Sequence, residues 1–386
     1  MRACMVAYTY YELDNRVKRY AHTLAKRGDR VDVVALRRKG QPEREVIDGV
    51  TVHRIQQRVI NERASLSYLY KLLLFLVRSA VFLAKEQLAD PFDLIHVHSI
   101  PDFEVFAAVV PKLAGAKLIL DIHDIVPELY ATKFRVSQES LVFKMLVKVE
   151  RASGAFADHV IVANHIWHQT LLSRSLTKEK CSVIMNYPNT RWFHTRRIPG
   201  DGKEITLLYP GTLSWHQGVD VAIRAMGLLA DRLPMARLHI YGDGTEREAL
   251  VRLVAELGVA ERVVIHGLVS SEEMTRIMAS ADVGVEPKRN DGFSGDAFST
   301  KILEFMAVGI PVIASRTRVH AYYFNDSVLR FFDCDDAEAL AAGILELVSD
   351  RGLRESYVSN AARFVQEFDW SKNEHLYLDL VERLIA

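Results

Sequence analysis

Short apolar runs alternate with segments of helical periodicity along almost the whole chain of 386 residues, and this alternation limits the fold more than any other feature. Runs such as ACMVA, VDVVAL and LILDIHD are typical of buried strands, and apolar residues recur at helical spacing in the segments that follow them. Strands and helices in alternation predict parallel sheets that carry helices on both faces. We therefore predict an α/β protein.

The alternation breaks once, between residues 186 and 204, where prolines and glycines indicate a connection between domains. It restarts with the strand ITLLYP and continues to the end of the sequence. The sequence therefore predicts two doubly wound α/β domains, at residues 1–190 and 205–369. Ligands of such sheets bind at the carboxyl ends of the strands, so a cleft between the domains is the expected site.

Composition and charge exclude a strongly basic nucleic-acid-binding protein, because the formal net charge is zero. The first hundred residues are more basic, with 17 lysines and arginines against 11 acidic residues. A basic first domain can lean on an anionic membrane surface. A solvated charged face is the more ordinary explanation for any one cluster, such as Arg16–Lys18–Arg19.

The cysteines and the first residues indicate a cytoplasmic protein. Cys4, Cys181 and Cys334 are far apart in the sequence and show no metal-binding spacing, so we predict reduced thiols. The sequence begins with one short strand followed by polar residues, without the pattern of a signal peptide.

The most apolar window runs from Tyr68 to Ala84. Lys71 and Arg78 interrupt it, and it is shorter than the ~20 residues that a membrane span needs. We predict a core helix here, and a helix that lies on a membrane is the alternative.

The stretch from Gly292 to Ser315, GFSGDAFSTKILEFMAVGIPVIAS, is typical of a loop, a short helix, a tight turn and a buried strand. We predict that the hydroxyls of Ser299 and Thr300 cap the helix, whose first N–H groups can attract an anion. Glu304 falls in its first turns, eight residues after Asp296. A phosphate-binding loop beside a carboxylate that can hold a sugar diol suits a nucleotide sugar, although loop–helix–strand units are also common without a ligand.

Histidines at the ends of two predicted strands are the other candidate site. The two-residue period of LILDIHD places Asp121 and His123 on one face, and DLIHVHS does the same for His96 and His98. Strand-edge histidines and, less readily, a zinc site both explain this pattern. The acidic run at 333–336 is expected to cap a helix rather than to bind metal, and motifs of common hydrolases and NTPases are missing from the sequence.

Several segments taken together resemble the retaining glycosyltransferases of the GT-B fold, family 4, and the resemblance covers nearly the whole chain. PGTLSWHQGVDVAIRA, HIYGDG, VVIHGLVSSEEM, SADVGVEP and DAFSTKILEFMAVGIPVIAS follow one another in the order of the family's donor domain. DNRVKRYAHTLAKRGDRVDVV and DIHDIVPELYATKF resemble parts of its first domain. The resemblance implies two Rossmann-like domains facing a cleft, and a final helix, 370–386, that crosses back to the first domain.

The resemblance also implies roles for individual residues. His123, Asp296 and Glu304 stand at the catalytic positions of the family's motifs. The donor site would comprise Gly211, Thr212, Gly242, Gly244, Phe298, Ser299, Thr300, Lys301 and Glu304. A nucleoside diphosphate sugar would be the donor, without a metal or other cofactor. The acceptor would lie near residues 8–15, His98, Asp102 and Glu128.

The sequence departs from the family in ways that bear on catalysis. An arginine and a lysine that commonly neutralise the donor diphosphate are replaced by Thr212 and Gln217, the first motif acid is Asp296, and the loop YTYYELD has no glycine. Lys301 is the only cation inside the donor motif, so we predict that it contacts the diphosphate, with Lys288 and Arg289 as further candidates.

The expected function is transfer of a sugar from a nucleotide sugar, such as a UDP-sugar, to an acceptor hydroxyl with retained configuration, in the synthesis of a cell-surface polysaccharide or glycolipid. A glycan or lipid-linked glycan is the expected acceptor, and the protein would be cytoplasmic, with peripheral contact to the inner membrane face. A non-catalytic donor-binding subunit and a sugar-nucleotide 2-epimerase of the same fold are the alternatives.

Overall fold

The computed structural model describes residues 1–58, 65–188 and 204–386, so most of the predicted connection between residues 186 and 204 lies outside the described residues. The chain divides into two compact units. Unit 1 comprises Met1–Asn186 and Glu374–Ala386, and unit 2 comprises Tyr187–Asn373. The last helix therefore begins in unit 2 and belongs to unit 1 from Glu374 onwards.

Unit 1 is built on an eight-stranded sheet in the order β3-β4-β2-β1-β5-β6-β7-β8. Its pairs are parallel except for β3, which runs antiparallel to β4. The strands are β1 (Arg2–Ala7), β2 (Arg30–Arg37), β3 (Arg44–Ile47), β4 (Val50–Gln57), β5 (Leu94–His98), β6 (Lys117–Ile122), β7 (His159–Val162) and β8 (Cys181–Val183). Its helices are α1 (Asn15–Arg27), α2 (Ser65–Ala89), α3 (Val109–Leu113), α4 (Val126–Phe134), α5 (Leu141–Phe156) and α6 (His165–Arg174).

Unit 2 is built on a six-stranded parallel sheet in the order β11-β10-β9-β12-β13-β14. The strands are β9 (Ile205–Pro210), β10 (Ala236–Tyr241), β11 (Val263–His266), β12 (Val283–Glu286), β13 (Val312–Ser315) and β14 (Arg330–Phe332). The helices are α7 (Val219–Leu228), α8 (Arg247–Glu256), α9 (Ser271–Ser280), α10 (Thr300–Val308), α11 (Arg318–Tyr323), α12 (Ala337–Ser349) and α13 (Arg351–Val365). The last helix is α14 (Trp370–Ile385), most of which belongs to unit 1.

Both sheets reverse their strand order once, between β1 and β5 in unit 1 and between β9 and β12 in unit 2. Open parallel sheets bind ligands beside the carboxyl ends of the strands at such a switch point. The α/β prediction of two doubly wound units is confirmed, and the sheet order fixes one candidate ligand edge in each unit.

The first helix, α1, begins and ends where local sequence signals predict. Helix α1 covers the predicted residues Asn15–Arg27, because Asp14 accepts from the N–H groups of Arg16 and Val17 at one end. At the other end Gly28 adopts the left-handed conformation, with φ of 99°.

The sequence predicts one helix over residues 101–114, and the structure corrects this. Residues Asp102–Ala108 form a 3-10 segment, and only α3 is an α-helix. Pro111 has no N–H group and cannot donate to the carbonyl four residues earlier, which explains why one long α-helix is not formed. The structure also adds β3, α4 and α11, which the sequence pattern missed.

Helix α2 corrects two further expectations. Its segment Ser67–Ala89 has the length and composition of a membrane span, so the predicted shortfall in length is wrong. Only 22% of its most apolar window is buried, so it is not a core helix either. Leu72, Phe75 and Leu83 pack inward, while much of the remaining surface faces outward. The cluster Arg16–Lys18–Arg19 is not a solvated basic face, because Arg16 and Arg19 are buried.

Candidate functional site

The switch point of unit 2 brings together a glycine, a glutamate and a lysine. Gly211 directly follows β9, and Glu286 ends the neighbouring strand β12. A Cβ added at Gly211 would lie 3.1 Å from the Nζ atom of Lys301, which belongs to α10. The predicted donor residues Gly211 and Lys301 are therefore neighbours at the ligand edge.

Gly242 and Gly244 let two loops of this edge pack backbone against backbone. A Cβ added at Gly242 would lie 1.8 Å from the carbonyl oxygen of Gly211, and one added at Gly244 would lie 2.2 Å from that of Leu213. The N–H group of Gly211 donates to the carbonyl of Tyr241 at 2.8 Å. These contacts give both predicted donor glycines a structural function in shaping the edge, and leave Thr212 exposed on its loop.

The start of α10 offers backbone N–H groups to a ligand. In the described part of the chain, no group accepts a hydrogen bond from the N–H groups of Phe298, Ser299 or Thr300. The predicted cap by Ser299 is wrong, because its buried hydroxyl makes no hydrogen bond to the helix or to any other described residue. The helix start therefore keeps its free donors, which favour an anion.

Lys301 is largely shielded from solvent, because only 16% of its side chain is exposed. Its ammonium lies 2.9 Å from Oε2 of Glu286 and donates to Oε1 of Gln217 at 3.2 Å. It also lies 4.6 Å from the centre of the Tyr209 ring. Burial alone would lower the pKa of Lys301, but the Glu286 charge holds it above its ordinary value. A permanent cation thus lies beside Gln217, the position where the family pattern leads one to expect a lysine.

Glu304 lies one turn after the start of α10 and is partly buried. Burial raises the pKa of its carboxyl group to about 7. The proton therefore leaves readily near neutral pH, and a ligand whose hydroxyls donate to the carboxylate favours the ionised form.

Asp296 and the predicted cations Lys288 and Arg289 have partners that the sequence did not indicate. Asp296 pairs with Nε of Arg318 at 2.7 Å. Lys288 is buried and donates to the carbonyl of Ala297 at 2.6 Å, which supports the loop before α10. Arg289 pairs with Asp220 and Asp335, so its charge is already balanced and it is a poor candidate for the diphosphate.

In unit 1, a buried ion pair lies at the carboxyl end of β6. Arg16 of α1 donates from Nε and Nη2 to the two oxygens of Asp121, at 2.7 and 2.6 Å. Asp121 is completely buried and Arg16 nearly so. Although burial would raise it, the Arg16 charge holds the pKa of Asp121 well below its ordinary range. A permanent carboxylate therefore lies under the loop that follows β6.

Asp121 fixes the orientation of the predicted catalytic histidine. Nε2 of His123 and Nδ1 of His98 each lie 3.1 Å from Oδ2 of Asp121. An ionised carboxylate can only accept, so both nitrogens carry a hydrogen. Nδ1 of His123 then remains for a ligand, and His123 is the more exposed of these two histidines.

His96, His98 and Asp121 offer ligand atoms within 4.8 Å of one another, a spacing that suits a metal ion. The bidentate Arg16 guanidinium already balances the carboxylate, and Nδ1 of His96 pairs with the Tyr377 hydroxyl at 2.9 Å. Burial lowers the pKa of both histidines. Nε2 of His96 and Nε2 of His98 have no hydrogen-bond partner among the described residues. The carboxylate is nevertheless already neutralised by Arg16, which favours a structural role for the cluster.

The residues expected to meet the acceptor are mostly buried. His98, Asp102 and Glu128 are 2%, 3% and 7% exposed. Asp102 accepts from the Ser99 hydroxyl at 2.6 Å, and Glu128 pairs with Arg174. Little of these three side chains is therefore exposed, and the expectation that an acceptor binds near them stays a prediction.

The sequence analysis missed Arg16, Glu286 and Arg318 as parts of the two sites. Arg16 and Asp121 are 105 positions apart, so no local pattern joins them. The sequence did contain a signal for Glu286, because it is a carboxylate at the end of an otherwise apolar strand. A buried carboxylate needs a compensating cation.

Two family models match the chain in succession. Residues 13–187 match the glycosyl transferase 4-like domain, and residues 190–364 match the glycosyl transferases group 1. Together they cover both candidate sites.

Individual proteins agree with the family models. An uncharacterised glycosyltransferase of Methanocaldococcus jannaschii is 28% identical, over 96% of this chain and 95% of the relative. A phosphatidyl-myo-inositol mannosyltransferase of Mycolicibacterium smegmatis is 30% identical, over 45% of this chain and 43% of the relative. The crystal structure of HepE of Anabaena in complex with UDP has a TM-score of 0.73 at 18% identity, and the match covers 99% of this chain and all of that one.

Proposed function

This chain belongs to the group 1 glycosyltransferases, and we propose that it moves a sugar from a nucleoside diphosphate sugar to an acceptor hydroxyl with retained anomeric configuration. The observation that carries this proposal is the donor edge of unit 2. Free N–H groups at the start of α10, the cation Lys301 and the carboxylate Glu304 lie on consecutive turns of one helix.

Each group of this edge matches one part of a nucleotide sugar. The N–H groups of Phe298, Ser299 and Thr300, together with Lys301, would hold the diphosphate. Glu304 would accept from the ribose hydroxyls, and Asp296 would contact the sugar. The UDP complex of the similar HepE structure supports a uridine nucleotide as the donor.

The residues of unit 1 would assist the chemistry. His123 would hydrogen-bond the transferred sugar through Nδ1, while Asp121 holds the other side of its ring. No covalent nucleophile and no metal are needed in this scheme, because the leaving diphosphate can take the proton of the acceptor hydroxyl. Catalysis would then rest on positioning and on electrostatic stabilisation of the leaving group.

The acceptor of this proposal is a lipid-linked glycan, and the pathway is the synthesis of a cell-surface polysaccharide or glycolipid. The phosphatidyl-myo-inositol mannosyltransferase among the similar proteins supports a lipid acceptor. The exposed apolar helix α2 gives the same indication. A cytoplasmic protein in peripheral contact with the inner membrane face is consistent with both.

Turnover tests the proposal against its alternatives. The purified protein would be incubated with UDP-sugars and membrane-derived lipid acceptors, and release of UDP and labelling of lipid would be measured. A transferase releases UDP together with a glycosylated acceptor, and His123→Ala should strongly reduce both. Donor binding without turnover indicates a donor-binding subunit, and a modified sugar formed without acceptor indicates an epimerase.

A further inference from the structure

Helix α2 carries an apolar stripe on its outer face. Leu69, Tyr70, Leu73, Val77 and Val81 are each at least 45% exposed, and they recur at helical spacing. The opposite face packs on the unit through Leu72, Phe75 and Leu83. The unit therefore covers one face of the helix and leaves the other exposed, as in a helix that lies in the plane of a membrane interface.

The apolar surface continues beyond α2. The 3-10 segment Asp102–Ala108 contacts both α2 and α5, and α3 contacts α2. These neighbours expose further large apolar residues, namely Phe106, Val109, Val110 and Leu113, together with Leu141, Val142 and Met145 of α5. Large exposed apolar residues gathered on elements that contact one another indicate an interaction surface.

Charge identifies the occupant of this face. Lys85 of α2 and Lys144 and Lys148 of α5 are exposed, and no carboxylate in the described ranges pairs with them. Two acids on the same helices are neutralised from within the unit, because Glu86 of α2 pairs with Arg2 and Glu150 of α5 pairs with Arg174. Apolar residues rimmed by unpaired lysines suit the interface of an anionic bilayer.

We propose that the stripe on α2, with the neighbouring face of α3 and α5, docks unit 1 on the surface of an anionic lipid bilayer. The apolar side chains enter the acyl boundary, and the lysines meet the lipid phosphates. The proposal gives a location to the membrane contact of the proposed function. It rests on the proposed function only for the nature of the acceptor. A lipid-linked acceptor would then be taken from the same leaflet.

Vesicle sedimentation tests this with the full chain. Vesicles of phosphatidylcholine alone are compared with vesicles that also contain phosphatidylglycerol, at low and high salt. The protein should sediment with the anionic vesicles, and salt should weaken binding. Lys144→Glu should reduce the partition coefficient about fivefold or more, because each basic residue near the surface contributes on that order.

A matched pair of variants separates docking from a general surface effect. Val77→Glu changes a stripe residue that is 58% exposed, and Val251→Glu makes the same change on α8 of unit 2 at 51% exposure. Val77→Glu should lower partition at least tenfold and Val251→Glu should not change it. Circular dichroism and melting temperature establish folding, and UDP binding, measured in parallel, should be equal in both variants.

Equal vesicle binding by the wild type and Val77→Glu would overturn the proposal. Absence of binding to anionic vesicles would do the same. Concentration-dependent self-association that Val77→Glu abolishes, without vesicle binding, would show that a second copy covers the face instead. If the wild type does not bind UDP, the proposed donor site is contradicted, while the vesicle result still stands.

Discussion

The ammonium group of Lys301 lies 2.9 Å from the buried carboxylate of Glu286, and the two form an ion pair at the switch point of the unit 2 sheet. The pair explains how a lysine is tolerated in the first turn of α10, where the helix dipole opposes a positive charge. It also sets a competition, since a bound diphosphate and Glu286 would share the same cation.

The competition predicts opposite effects of two substitutions. Glu286→Gln frees the cation and should raise affinity for a nucleoside diphosphate more than for the nucleoside. Lys301→Met combined with Glu286→Gln removes both charges and should weaken diphosphate binding roughly ten- to a hundredfold, which corresponds to a charged hydrogen bond of about 1.5–3 kcal/mol. Titration calorimetry with UDP and uridine measures both.

The double variant is preferred to Lys301→Ala, because a lone buried carboxylate destabilises a fold by about 3–5 kcal/mol. An equal loss for UDP and uridine would remove Lys301 from the phosphate site. Arg318, which is exposed beside Asp296, would then be the next cation to test.

Donor affinity should depend on pH through Glu304. The pKa of Glu304 is about 7 in the free protein. Below that pH the carboxyl group is mostly protonated, so it must lose a proton before it can accept from the donor's hydroxyls. Affinity for a UDP-sugar should therefore fall about tenfold per pH unit below 7 and level off above it. Since unfolding lowers this raised pKa, the same group makes the free protein less stable as pH rises towards 7. Calorimetry from pH 5.5 to 8 measures the affinity, with the range chosen to span about one unit either side of that pKa.

Glu304→Gln is the control for this dependence, because it keeps the shape of the side chain and cannot titrate. It should bind weakly and almost independently of pH. A slope that persists in Glu304→Gln would assign the titration to another group.

Asp121 should act on turnover through His123. Asp121→Asn removes the charge that fixes the ring but can still accept from Arg16. It also leaves the buried Arg16 cation without its counter-ion, which costs about 3–5 kcal/mol, so the melting temperature is measured beside turnover. We expect kcat to fall by one order of magnitude or more with little change in KM for the donor, as for a lost positioning interaction. In a His123→Ala background, Asp121→Asn should have almost no further effect on kcat. Additive losses would show that Asp121 acts independently of His123.

The glycines of unit 2 allow a stability test with an internal control. A methyl group at Gly242 would collide with the carbonyl of Gly211, so Gly242→Ala should cost about 1–3 kcal/mol of stability and weaken donor binding. Gly227 lies within α7 with no neighbouring atom in the way, and Gly227→Ala should stabilise by about 0.5–1 kcal/mol. Urea unfolding of both variants measures the difference, and equal effects would contradict the close packing of the two loops.

Local signals predicted much of the fold because they act over a few residues. Asp14 and Gly28 bound α1, and Asp336 caps α12 as expected from the acidic run at 333–336. The sheet order could not be predicted from such signals, since β5 pairs with β1 across almost a hundred residues. The Arg16–Asp121 pair was missed for the same reason, because it depends on that order.

The errors at α2 and Ser299 have a different cause. Periodicity shows which residues of a helix are apolar, but not whether protein or another phase covers them, so α2 was predicted as a core helix. Ser299 has the residue type of a helix cap, yet its hydroxyl is left without a partner where a ligand is expected to bind. Both errors fall where we propose an interaction with a molecule outside the chain.

The central claim is that unit 2 holds a nucleoside diphosphate sugar through α10, and a thermal-shift panel of nucleotide sugars tests it most directly. At a concentration of about a hundred times Kd, a ligand that binds only the native state adds about 2.7 kcal/mol of stability and should raise the melting temperature by roughly 3 °C. We predict such a rise with UDP-sugars in the wild type, and its loss in Glu304→Ala. A panel in which no nucleotide sugar raises the melting temperature, or in which Glu304→Ala responds like the wild type, would contradict the assignment.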